Sequence, residues 1–206
     1  MKQVTGSNPT SITDKVSIQL PLDGLLFIGD SIPNCKVEDG GVVEVELLTA
    51  KSIIVPGECF EPALADSFLR LSGIDCSEVE QPVWSSDCDG VIALMVIRRD
   101  IESELKRRLG EKIQYTSPLL RSVKHCEDRY LYIYSAYGVA YFKLYEGSDL
   151  KFCEAVSVAG NDEVLYFVER IIQEYHFEGL KIRVDGDNID SLTKLLKQYY
   201  KVEVCE

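Results

Sequence analysis

The order of predicted elements, met twice along one chain, constrains this sequence more than any single motif. Both halves alternate between short apolar strands and amphipathic helices, and both read strand, strand, strand, helix, strand, helix, strand. A chain of 206 residues is long enough to bury a core in each half without disulfide or metal staples. The class is therefore α/β, with boundaries at a polar tail over 1–14, a first unit with its connection over 15–128, and a second unit over 129–206.

In the first half, Lys15 to Leu20 alternates as a strand, Pro21-Leu22-Asp23-Gly24 has turn chemistry, and Leu25 to Ile28 resumes an apolar strand, which predicts a hairpin. Gly41 to Leu48 and Ser52 to Val55 read as further strands, and Pro56-Gly57 breaks the pattern. Phe60, Leu64, Phe68 and Leu71 recur at helical spacing before Gly73. The stretch from Gly73 to Gly90, with Pro82 and clustered Asp and Ser, is expected to be loop. Val91 to Ile97 is a continuous apolar run, as in a strand buried on both faces. Asp100 is a candidate cap for a helix carrying Ile101, Leu105 and Leu109 and ending at Gly110. Lys112 to Thr116 is a short strand.

In the second half, Tyr130 to Ser135 and Val139 to Tyr145 flank a tight turn at Tyr137-Gly138, and the chain turns again into Leu150 to Val158. Asn161 opens a helix whose first turn holds Asp162 and Glu163, where the helix dipole favours anions. Val164, Leu165, Val168, Ile171, Ile172 and Tyr175 form its apolar face. Leu180 to Val184 is a strand, Asp185 to Asn188 a turn and cap, and Ile189 to Tyr199 a second helix. Val202 to Cys205 closes with a strand.

Three hairpin-joined strands followed by two helical crossovers describe the ribonuclease H-like unit, and two in tandem describe the actin-like ATPase fold. The phrases SIQLPLDGLLFI, KSIIVPGECFEPALADSFLRL and NDEVLYFVERIIQEY resemble a bacterial domain-of-unknown-function family assigned that fold. The resemblance runs from about Val16 onward and implies a fold without an activity.

An actin-like ATPase holds phosphates between two hairpin loops, whose backbone amides cradle the anion while an Asp positions magnesium or water. The resemblance places Asp23, Gly24, Ser135, Gly138 and Gly186 nearest any nucleotide. Those loops depart from the pattern. Asp23 lies in the turn beside Gly24, and Asp-Gly is a common hairpin turn in its own right. The second loop, Ser135 to Gly138, has no acid, and Tyr137 would crowd a phosphate. The third, around Gly186, has one Gly where two are expected, flanked by Asp185 and Asp187. These residues read as a degenerate nucleotide cleft. No cofactor is expected, with ATP and Mg²⁺ as the alternative.

No other constellation carries chemistry. The chain has no phosphate-binding P-loop, dinucleotide fingerprint or zinc-protease motif. The first strands, VSIQL and YLYIY, lack the convergent carboxylates of a two-metal nuclease. Seven cysteines include no C-x-x-C pair, and neither His125 nor His176 lies near a pair of ligand spacing, so neither a metal site nor a catalytic residue is assigned.

Net charge of −12 disfavours nucleic acid and anionic membranes, although residues 91–129 carry nine Lys/Arg against six Asp/Glu. The longest apolar run has seven residues, far short of a membrane span, and the polar N-terminal stretch lacks a signal-peptide pattern. The expected compartment is the cytoplasm. The expected role is a non-catalytic, actin-like protein working through protein–protein contacts, with a second copy of the chain among the candidate partners. The alternative is an ATP-binding protein or slow ATPase using a non-standard cleft between the units.

Overall fold

A computed structural model of the chain describes residues 16–22, 42–122, 129–176, 179–187 and 189–205. The predicted hairpin strand Leu25 to Ile28 and the candidates Asp23 and Gly24 lie outside these residues.

The second half holds the larger sheet. Strands β7 (Arg129–Ala136), β8 (Val139–Glu146) and β9 (Asp149–Ser157) form an antiparallel meander. Helix α3 (Asn161–Tyr175) returns the chain to β10 (Lys181–Gly186), parallel to β7, and α4 (Ile189–Leu196) leads to β11 (Lys201–Val204), parallel to β10. The order is β11-β10-β7-β8-β9. Strand periodicity sends alternate side chains to opposite faces. Leu131, Ile133, Phe142 and Ile182 meet Val164, Val168 and Ile171 of α3 and Leu192 and Leu196 of α4. The opposite face presents Tyr130, Tyr132, Tyr134 and Tyr141, packed with Leu48 and Leu119 from the first half.

The first half departs from the predicted order. Its strand β1 (Val16–Pro21) pairs in parallel with β2 (Val43–Leu48), which pairs in parallel with β6 (Ile113–Thr116). A second sheet has the order β3 (Ser52–Pro56), β5 (Val91–Arg98), β4 (Glu80–Trp84), all antiparallel. A bridge between Ser85 and Tyr115 joins the two sheets. Strand β4 falls in the stretch expected to be loop. Pro82 is tolerated there because β4 borders its three-stranded sheet, where a missing N–H is cheap.

Strand β5 is buried on both faces, as its apolar run predicts. Ala93, Met95 and Ile97 face Ile101, Leu105 and Leu109 of α2 (Arg99–Leu109), while Leu94 and Val96 face Ala65 and Leu69 of α1 (Ala65–Leu71). The helix predicted from Phe60 is shorter than its spacing suggests. Two 3-10 turns, Gly57–Cys59 and Pro62–Leu64, precede α1, and Phe60 is extended between them. Pro62 opens the second turn but has no N–H to extend a helix backward. No helix among the described residues is long and apolar enough to cross a membrane.

Candidate functional site

Of the five residues the sequence places near a nucleotide, Ser135, Gly138 and Gly186 converge at one end of the five-stranded sheet. Strands β7 and β8 are joined through Tyr137 and Gly138, with φ of 51° and 79°, the double left-handed geometry of a two-residue hairpin turn. The Gly138 carbonyl accepts from Val158 N–H at 2.8 Å, tying β9 to the turn. Gly186 pairs with Ser135 across β10 and β7, and its φ is 113°. A Cβ on Gly186 would lie 2.1 Å from the Ser135 carbonyl oxygen. That oxygen also accepts from Asp187 N–H at 2.7 Å. The glycine is therefore required by contact between two backbones of the same sheet.

Beside this end, the two halves meet in a polar cluster on the tyrosine face. Glu46 projects from β2 and is 7% exposed. Arg121 follows the 3-10 turn Pro118–Leu120 and grips Glu46 with two nitrogens, at 2.7 and 2.6 Å. This two-point geometry is the strong form of an ion pair. Gln19 of β1 donates to Glu46 at 2.9 Å and to the Tyr134 hydroxyl at 3.3 Å. The Arg121 guanidinium also lies 3.8 Å from the centroid of Tyr134 and 3.7 Å from Asp185. Asp185 in turn accepts from the Tyr132 hydroxyl at 2.8 Å.

The electrostatics follow from burial and pairing. Burial alone would lower the Arg121 pKa, but the Glu46 carboxylate outweighs it and the guanidinium is held above its ordinary value. Burial and the neighbouring Asp185 raise the Tyr132 hydroxyl. Lys143 of β8, 1% exposed, donates to the Arg121 carbonyl and stands 5.0 Å from the Tyr132 ring centroid. Burial, with Arg121 nearby, pulls its pKa down to about 8.

Arg121 lies on the rim of a recess of about 350 Å³ formed by β2, β6 and the segment after β4, with Glu44, Glu46, Asp87, Gln114 and Thr116 in its wall. Three carboxylates give it an acidic lining. A smaller recess of about 170 Å³ lies across Leu120 and Arg121, between Ile54, Leu119, Tyr145 and Leu150. Among the described residues, no group of three or more His, Cys, Asp or Glu side chains is arranged to hold a metal ion.

Neither Glu46 nor Lys143 stands out in the sequence as a site residue. The available signal was a charge set among apolar strand residues, Glu46 two positions after Glu44 in VEVELL and Lys143 within VAYFKLYE. Such a charge is stable only with a partner. Arg121 was visible within the basic stretch, but its partner 75 positions away was not.

The structure resembles a crystal structure of a protein with actin-like ATPase fold and unknown function from Bacteroides thetaiotaomicron VPI-5482. The TM-score is 0.66 and the identity 13%, covering 80% of this chain and 68% of that one. The cytoplasmic domain of EpsL, an inner membrane component of the type II secretion system of Vibrio cholerae, aligns with a TM-score of 0.39 and 13% identity, covering 82% of this chain and 66% of that one, which is too low a score to support a conclusion. No protein-family model and no curated protein matches the chain. The chain is thus a mixed α/β protein with an actin-like ATPase fold.

Proposed function

We propose that this chain is a non-catalytic member of the actin-like fold, built from two ribonuclease H-like units, that acts through protein–protein contacts. The observation carrying this reading is the commitment of Arg121. The cation best placed between the halves to meet a phosphate is held by Glu46 in a two-point pair and has Asp185 beside it. A polyphosphate would have to displace Glu46 and would leave that carboxylate buried and unpaired, an unfavourable exchange.

The surrounding groups support the same conclusion. With Glu46 paired to Arg121, the adjoining recess keeps a net negative lining from Glu44 and Asp87 that disfavours phosphate. At the other end of the cluster, Gly186 lies against Ser135, and Asp185 and Asp187 bracket it with negative charge. Among the described residues, those around the predicted cleft do not fit ATP with Mg²⁺. Gly138 and Gly186 are taken up by contacts within their own sheet and Arg121 by Glu46 across the halves, leaving the outer surface as the working part of the molecule.

Calorimetric titration of ATP with Mg²⁺ tests the reading. The expected outcome is no saturable heat, even with millimolar nucleotide. Saturable binding that is lost in Gly138→Trp would overturn it and turn attention to hydrolysis.

A further inference from the structure

The first half carries an aromatic platform at the edge of its core, where Phe60 and Phe68 are half-buried against the cluster of Val55, Ala65, Leu69, Leu94 and Val96. Phe60 stacks toward Phe68 with centroids 6.5 Å apart and toward Trp84 at 5.6 Å. Trp84, the only tryptophan in the chain, is 39% exposed. Leu64, Phe68 and Leu71 follow one another at i+4 and i+3, so they share a helical stripe beside these rings. Leu64 is 43% exposed and Leu71 86%. The buried side of α1 is a different set, Ala65 and Leu69, packed on Val55, Leu94 and Val96. A continuous apolar stripe with a partly exposed tryptophan is the usual make-up of an interface centre.

The charge around the platform has one sign. Between Gly57 and Gly90 the chain has eight acidic residues and one basic residue. Glu58 lies in the first 3-10 turn and Glu61 immediately precedes the second, so both adjoin Phe60 and Leu64, whereas Asp66 is on the other flank of α1, in a recess with Arg70 and Arg99. Asp87 adjoins the start of this region, its carboxylate oxygen 2.2 Å from where a Cβ on Gly57 would stand. None of Glu58, Glu61 and Asp87 has an ion pair with a described cation.

From this juxtaposition we propose that the Phe60–Leu64–Phe68–Trp84 platform docks a basic amphipathic segment of a partner protein, with apolar anchors on the rings and Lys or Arg against the acidic rim. The proposal rests on the protein-contact reading above and names the surface and the partner's chemistry. A second copy of the chain is the poorer match. Its exposed basic helix α2 is neutralised internally, with Lys106 on Glu102 at 2.9 Å, Arg107 on Glu104 at 2.6 Å and neighbouring Arg98 on Asp100 at 2.6 Å. An anionic membrane would be repelled by the same rim.

Trp84 is a built-in reporter. The probe is a synthetic amphipathic Leu/Lys helix titrated into the full chain, with a Leu/Glu peptide of the same pattern beside it. The expected result is a saturable blue shift of Trp84 emission with Leu/Lys only. Leu64→Gln combined with Leu71→Gln, and separately Glu58→Lys combined with Glu61→Lys, should each weaken binding by ~tenfold or more. These four side chains are exposed, so both variants should retain the native circular dichroism spectrum. Equal binding of the Leu/Glu peptide, or no weakening in either variant, would overturn the proposal. So would an emission shift driven by protein concentration alone and accompanied by a dimeric mass, since a second copy would then occupy the platform. Nucleotide heat in the earlier titration bears on the non-catalytic reading and leaves these optical outcomes separate.

Discussion

Arg121 reaches Glu46 across 75 positions of sequence and closes on it with two nitrogens, at 2.7 and 2.6 Å. Glu46 belongs to the first parallel sheet, while the same guanidinium lies over Tyr134 of the second. One side chain thus couples the packing of both halves.

Arg121→Met should destabilise the protein by about 3 kcal/mol, because it leaves Glu46 in a buried position with only Gln19 as a donor. The double variant Glu46→Leu with Arg121→Met should recover much of that loss, since replacing a buried pair by apolar side chains is often neutral. Urea unfolding of both variants against the parent measures the difference. Equal destabilisation of the single and double variants would contradict the account.

Lys143 gives a pH signature with a definite sign. Its folded pKa of about 8 lies below its ordinary value, so the unfolded chain holds the proton more tightly. Stability should therefore rise as pH increases from about 8 toward about 10.4, by on the order of 2–3 kcal/mol from this group. Buried tyrosines with raised pKa act in the opposite direction above their ordinary value near 10. Comparison with Lys143→Met at each pH isolates the lysine: the variant should lack the rise.

Gly186→Ala and Gly73→Ala separate steric contact from backbone preference. Both glycines have positive φ, 113° and 76°, but a Cβ meets Ser135 at one and open space at the other. The first substitution should cost about 3 kcal/mol or more and the second about 1 kcal/mol. Thermal unfolding of the two variants ranks them directly.

Of the described cysteines, thiol labelling at neutral pH should reach Cys59 and Cys88 first, because both are exposed. Cys153 should resist until the protein unfolds, since burial pushes its thiol up to about 12 and alkylation requires the thiolate. Mass mapping after a timed exposure to iodoacetamide reads the order.

The second half was legible because local and tertiary preferences agree there. The spacing of Val164, Val168 and Ile171 marks the buried face of α3, and Tyr137-Gly138 forms the tight turn its residues favour. In the first half the two levels disagree. Leu71 continues the helical spacing of Leu64 and Phe68, yet it lies almost wholly in solvent. Strand β4 hid behind Pro82 and polar neighbours because it forms by pairing with the strongly apolar β5 that follows it rather than by its own local propensity. The convergence of Ser135, Gly138 and Gly186 was accessible through the resemblance. The Glu46–Arg121 pair was not, because nothing in either local segment encodes a partner so far along the chain.

The crossing from β2 to β3 takes only Thr49, Ala50 and Lys51, and it is caught from the other half. Thr49 N–H donates to the Tyr141 hydroxyl at 2.7 Å, and that hydroxyl donates back to the Thr49 carbonyl at 3.3 Å. A single phenol thus clasps both backbone polar groups of Thr49 at the bend of the first half. The halves cannot part without releasing that amide to solvent, so hydrogen exchange at Thr49 would time their separation. If it exchanges only with global unfolding, the molecule is a fused block; if it exchanges sooner, the clasp is where the two halves come apart.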